Sequence, residues 1–112
     1  MSLDVDLIAE DGSVVFSYNI THNLGAMARF VGCYEALWRP EEIGIEYANQ
    51  LTPLLSNAAV FLALNKDKCE EYNPKNGWGD YNGLLRFVQE YMIACANHPS
   101  AQIEVSRYCP CV

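Results

Sequence analysis

Positive charge is scarce in this chain. Seven Lys and Arg stand against fourteen Asp and Glu, a formal net charge of −7 over 112 residues. Nucleic-acid binding draws most of its affinity from clustered Lys and Arg on phosphates, so a nucleic-acid partner is not expected. The acidic excess is too small for nucleic-acid mimicry, and a solvated acidic surface accounts for it. Long apolar runs are also missing. No stretch reaches the roughly 18–20 residues of a membrane span. Asp4 and Asp6 stand where a secretory signal would carry basic and then apolar residues. The expectation is a soluble cytoplasmic protein with no membrane association.

The motifs of common chemistries are missing as well. The five cysteines, at 33, 69, 95, 109 and 111, are odd in number and widely spaced, unlike a secreted disulfide framework. Cys33 and Cys95 fall on the apolar faces of helical patterns, where a reduced thiol behaves as a small hydrophobe. Cys109-Pro110-Cys111 has no second pair to complete a zinc site and reads as frayed tail thiols. No HExxH, no paired CxxC and no glycine-rich phosphate loop after a strand occurs. Histidine is confined to His22 and His98. Neither a metal nor a cofactor is expected.

What is present is an alternation of periods. Val5, Leu7 and Ala9 recur at period two, Asp11-Gly12 follows as a hairpin signal, and residues 14–20 are rich in β-branched and aromatic side chains. The chain therefore opens with a β-hairpin. Leu24, Met27, Ala28 and Val31 then recur at helical spacing until Gly32. Pro40-Glu41-Glu42 reads as a helix start, continued by Ile43, Tyr47 and Leu51, with a restart at Thr52-Pro53 and a broad apolar face to Leu64. Lys66 to Tyr72 reads as a short polar helix. The clearest helix begins at Tyr81, carries Leu84, Leu85, Val88, Tyr91, Met92 and Cys95 on one stripe, and ends at His98-Pro99. Ala101, Ile103 and Val105 alternate as a last strand. The fold class is α+β, a single domain over 1–112. The N-terminal hairpin and the C-terminal strand form a small antiparallel sheet covered by three to five helices.

Two polar stretches stand out. One is Tyr18-Asn19-Ile20-Thr21-His22-Asn23, at a strand-to-helix junction. The other is Asn73-Pro74-Lys75-Asn76-Gly77-Trp78-Gly79-Asp80-Tyr81-Asn82-Gly83, with three glycines, three asparagines, a tryptophan and a tyrosine. Helix starts present unpaired amides to polar ligand groups. If the two junctions share one end of the sheet, Trp78 and Tyr81 offer a stacking platform and His22, Asn23, Asn76 and Asp80 orient polar groups. The plainer reading is structural. Thr21 and Asn23 cap a helix, Asn73, Asn76 and Asp80 build turns, and Trp78 plugs the core edge. Catalysis has the least support. It would ask His22 and Asp80 to converge within hydrogen-bonding reach.

These two stretches, with Met27 and the closing Ala-Gln-Ile-Glu-Val strand, resemble a family of small bacterial and bacteriophage proteins. That family carries a Thr-His-Asn motif and an Asn-Pro-x-Asn-Gly-Trp-Gly motif. The resemblance runs over nearly the whole chain and brings no activity with it. It implies a single domain of bacterial or bacteriophage origin, with His22, Asn23, Asn76, Gly77, Trp78 and Gly79 in the shared pattern. The Cys109–Cys111 tail lies outside that pattern.

The functional expectation is a non-enzymatic accessory protein that binds a protein partner or a small ligand through the 18–23 and 73–81 surfaces, using Tyr18, Thr21, His22, Asn23, Asn76, Trp78, Asp80 and Tyr81. The alternatives are a small hydrolase or transferase built on His22 and Asp80, and an acidic structural domain that homodimerises through an apolar helix face.

Overall fold

The computed structural model describes residues 2–108; the Cys109–Cys111 tail lies outside the described residues. Strand β1 (Ser2–Ile8) and strand β2 (Val14–Thr21) form the expected hairpin. Its turn is closed by the Ala9 amide donating to the Ser13 carbonyl at 2.8 Å. Asp11 accepts from both the amide and the hydroxyl of Ser13, and this interaction holds its carboxyl below the usual carboxylate range. Strand β3 (Gln102–Tyr108) pairs antiparallel with β1, so β1 is the central strand in the order β2-β1-β3. The α+β class stands as expected.

Strand alternation decides which side chains meet the helices. Leu3, Val5 and Leu7 of β1 are fully buried. They stand opposite Ile20, Tyr18 and Phe16 of β2 and opposite Arg107, Val105 and Ile103 of β3. The other face carries Ser2, Asp4 and Asp6 against Thr21, Asn19 and Ser17. There the Asp6 carboxylate accepts from the Ser17 hydroxyl at 2.6 Å.

Among the described residues five helices occur: α1 (Gly25–Val31), α2 (Tyr34–Trp38), α3 (Ala48–Leu64), α4 (Lys66–Glu70) and α5 (Tyr81–Asn97). Helices α3 and α5 supply about half of the core, with Leu51, Leu55, Leu62, Leu84, Phe87 and Tyr91 among it. Cys33, Cys69 and Cys95 are buried free thiols. Among the described residues no helix is long and apolar enough to cross a membrane.

The middle of the chain departs from its periodicity. The helix expected from Pro40 through Leu51 does not form. Pro40–Ile43 makes only a 3-10 turn, which Gly44 ends with a φ of 74°. The chain then extends so that the Glu46 carbonyl accepts from the Ile103 amide at 2.9 Å, beside β3. Helix α3 starts only at Ala48, where the Gln50 side chain accepts from the Glu46 and Tyr47 amides. Its first free amides, at Ala48 and Asn49, donate to the carbonyls of Ala101 and Pro99. The start is therefore set by the segment that leads from α5 into β3, a contact the local sequence does not carry. The expected restart at Thr52-Pro53 is likewise absent. Pro53 sits inside α3 on its exposed side, and Thr52 donates its hydroxyl back to the Ala48 carbonyl.

Among the described residues one core group is left without a partner. Tyr91 stacks on Phe16 and Phe87, with ring centroids 5.6 and 5.4 Å away. Among the described residues its buried hydroxyl has no hydrogen-bond partner, and burial pushes the phenol well above its ordinary range. Stranding a hydroxyl costs more than removing it. Tyr91→Phe keeps the ring stack and is expected to raise stability by about 1 kcal/mol, read as a higher urea midpoint at unchanged slope. A lower midpoint would mean that the hydroxyl is satisfied in solution.

Candidate functional site

The 18–23 stretch splits because it leaves a strand. Tyr18 points to the helices, its ring centroid 4.9 Å from that of Phe87. Burial first, and the negative charge of Glu90 second, push its phenol up. Asn19 and Thr21 take the open face of the sheet. Asn19 donates to the Asp4 carboxylate at 2.5 Å. Thr21 turns the chain into a 3-10 turn at His22–Leu24 and accepts the Asn23 amide on its hydroxyl at 3.2 Å.

The 73–81 loop is held by short polar side chains bonded to its own backbone. Asn73 accepts from the Tyr81 amide at 2.8 Å, Asn76 from the Trp78 amide at 3.0 Å, and Asp80 from the Gly83 amide at 2.8 Å. Asp80 is thus the N-cap of α5. Tyr81 is buried and donates its hydroxyl to the Leu62 carbonyl at 2.5 Å; burial raises its phenol too. Tyr81 therefore belongs to the core and offers no stacking surface.

The two stretches meet. Asn23 Nδ2 lies 3.5 Å from the Trp78 carbonyl, and Gly79 packs against Thr21 and Leu24. Together they shape a cleft of about 500 Å³ lined by Ser2, Asn19, Thr21, Asn23 and Trp78. The Trp78 side chain is not a core plug, since the residue is 71% exposed. None of the five lining residues is charged.

His22 faces elsewhere. Its Nδ1 accepts from the indole Nε1–H of the buried Trp38 at 2.7 Å, so the ring hydrogen sits on Nε2. It lines a second cleft of about 460 Å³ with Arg29, Tyr34, Trp38, Arg39 and Arg107. Tyr34 stacks on Trp38 at 5.2 Å, and the Arg29 guanidinium lies 4.0 Å over the other partner of that stack, the Tyr34 ring. Arg107 Nη1 donates to the Trp38 carbonyl at 2.7 Å and pairs with Glu41 at 3.1 Å. Arg39 pairs with Glu42 at 3.2 Å. Tyr34, and then Glu42, raise the already high pKa of Arg39.

The expected site residues thus separate into four surroundings. Thr21, Asn23 and Trp78 share one cleft, His22 lines another, and Tyr18 and Tyr81 pack against helices or core. Asn76 and Asp80 shape the loop. No hydrogen bond joins His22 to Asp80 among the described residues; Trp38 holds the imidazole and the Gly83 amide holds the carboxylate. Among the described residues no cluster of His, Cys, Asp or Glu could hold a metal ion. The apolar helix face expected for a homodimer is partly open, with Leu54, Val60 and Leu64 of α3 exposed.

Sequence reasoning missed the arginine cleft. One signal was present. The alternation Ala101, Ile103, Val105 continues to Arg107, which puts a cation on the helix-facing side of β3. Comparison with protein-family models, curated proteins and solved structures gives no match.

Proposed function

We propose that this chain is a non-catalytic recognition domain that docks a protein partner on the face made by Thr21, Asn23 and Trp78. One observation carries the reading: a tryptophan with 71% of its surface in solvent stands on a loop whose backbone is pinned at Asn73, Asn76 and Asp80. Exposing a large indole forgoes burial worth about 2 kcal/mol or more. Fixing the loop beneath it removes much of the entropy cost of binding there. Trp is enriched among the residues that dominate protein interfaces. The surrounding Ser2, Asn19, Thr21 and Asn23 are uncharged hydrogen-bonding side chains, a composition close to that of antibody paratopes. The family resemblance implies a bacterial or bacteriophage origin, and a bacteriophage setting would make a host protein the partner. A hydrolase or transferase has less support, since His22 and Asp80 are each engaged by other groups.

The test compares Trp78→Ala and His22→Ala against a partner first captured from host extract and then purified. Trp78→Ala is expected to change folding stability by less than about 0.5 kcal/mol and to weaken the complex at least 30-fold, about 2 kcal/mol. His22→Ala is expected to leave affinity within about threefold, under 1 kcal/mol. A complex that survives Trp78→Ala unchanged ends this reading.

A further inference from the structure

The second cleft concentrates a charge that is scarce in this chain. Three of its four arginines, Arg29, Arg39 and Arg107, line this one depression in a chain of net charge −7. Scattered surface cations on an acidic domain need no such gathering. Two of the three have an acidic partner, Glu42 for Arg39 and Glu41 for Arg107. Arg29 has none among the described residues and is instead held flat on the Tyr34 ring. The three guanidinium groups thus have two carboxylate partners within 4 Å among the described residues. Beside them, the Trp38 indole occupies His22 Nδ1 and leaves Nε2–H as a further donor. Gly25 and Ala26 complete the lining and keep the cleft open at about 460 Å³.

We propose that this cleft binds the phosphate group of a small phosphate monoester. Guanidinium groups offer paired N–H donors whose geometry matches a phosphate. Three such forks exceed what the two oxygens of one carboxylate can use. A phosphate monoester presents three acceptor oxygens and a charge near −2 at neutral pH. The arginines are pre-oriented: Arg29 by the Tyr34 ring, Arg39 by Glu42, and Arg107 by the Trp38 carbonyl. Each such contact lowers the ordering cost left for the ligand. The volume falls in the range of small-molecule sites and exceeds the needs of the phosphate alone, so an organic body fits beside it against Ala26 and the Tyr34 edge. A long nucleic acid is disfavoured, because its backbone would meet the acidic remainder of the surface. This site is independent of the Trp78 face, and either can fail alone.

The experiment is an amide and indole NMR titration of the full chain at low ionic strength with phenyl phosphate, inorganic phosphate and benzoate. Phenyl phosphate is expected to shift the Trp38 indole N–H and the amides of Gly25, Ala26 and Arg29 in a saturable way, with a Kd below about 1 mM. Inorganic phosphate and benzoate are each expected to bind at least tenfold more weakly. Arg29→Ala, at an exposed position, is expected to lose at least tenfold; Arg39→Ala provides a second reading if the first variant disturbs the spectrum, and Trp78→Ala leaves the titration unchanged. Absence of saturable shifts up to about 10 mM phenyl phosphate, wild-type affinity in both arginine variants, or benzoate binding as tightly as phenyl phosphate would each overturn the assignment.

Discussion

Gly79→Ala is expected to destabilise the domain by about 3 kcal/mol. Two separate costs combine at this residue. Its φ is 93°, in the region where an L side chain costs about 1–2 kcal/mol. A Cβ there would also lie 2.7 Å from Thr21 Cγ2 and 3.2 Å from Leu24. Thr21 is β-branched and stiff, and Leu24 is buried, so neither can swing away freely. Overpacking of this kind costs about 1–3 kcal/mol. Gly77→Ala is the matched control. Its φ is 76°, but a Cβ there meets nothing within 4 Å, so only the backbone cost of about 1 kcal/mol remains. Urea denaturation of both variants separates the two costs. Equal losses would mean that the loop does not press on Thr21 in solution. The variant also reports on function. A Gly79→Ala protein that still folds must lift the loop from Thr21, which moves Trp78 away from Asn23 and should impair partner binding even with the indole intact.

That close approach shows where reading the chain runs out. The three strands and α5 were legible, because period-two alternation and a continuous helical stripe are local properties. The start of α3 was not, because Pro40-Glu41-Glu42 is a sound local helix signal that loses to Gly44 and to the pairing of Glu46 with Ile103. The meeting of Thr21 with Gly79 depends on how α5 lies across β2, a tertiary fact. The glycine that permits it looks no different from Gly77 in the sequence. His22 was placed with Trp78 because the two stood in conspicuous motifs. Its neighbours turned out to be Trp38 and three arginines contributed by positions 29, 39 and 107. Arg29 lies four residues after Gly25, and Trp38 four after Tyr34, so each pair shares a helix face. Nothing local says that the two faces converge.

The buried thiols make stability depend on alkaline pH, and the expected loss is the largest of all. Burial pushes Cys33 up to about 12, helped by the negative charge of Glu35, and burial alone takes Cys95 to about 12. In the unfolded chain a cysteine titrates near 8.5. Below that value both states hold the proton and the stability is fully present. Above it the unfolded chain releases the proton while the native state keeps it, so the native state binds more protons and stability falls as pH rises. Between pH 8 and 10 each thiol removes roughly 2 kcal/mol, about 4 kcal/mol for the pair. Cys69 and Tyr91, both raised by burial, act in the same direction. A domain of this size typically has about 5–15 kcal/mol in hand, so the loss brings unfolding within reach of mild base. The measurement is the urea unfolding free energy at pH 7, 8, 9 and 10 under reducing conditions. Cys95→Ala should roughly halve the slope above pH 8.5, whatever it does to stability at pH 7, because it removes one of the two dominant titrating groups. A flat profile in the wild-type protein would mean that the thiols reach water in the folded state, and the close packing of α5 against the sheet would then have to be abandoned.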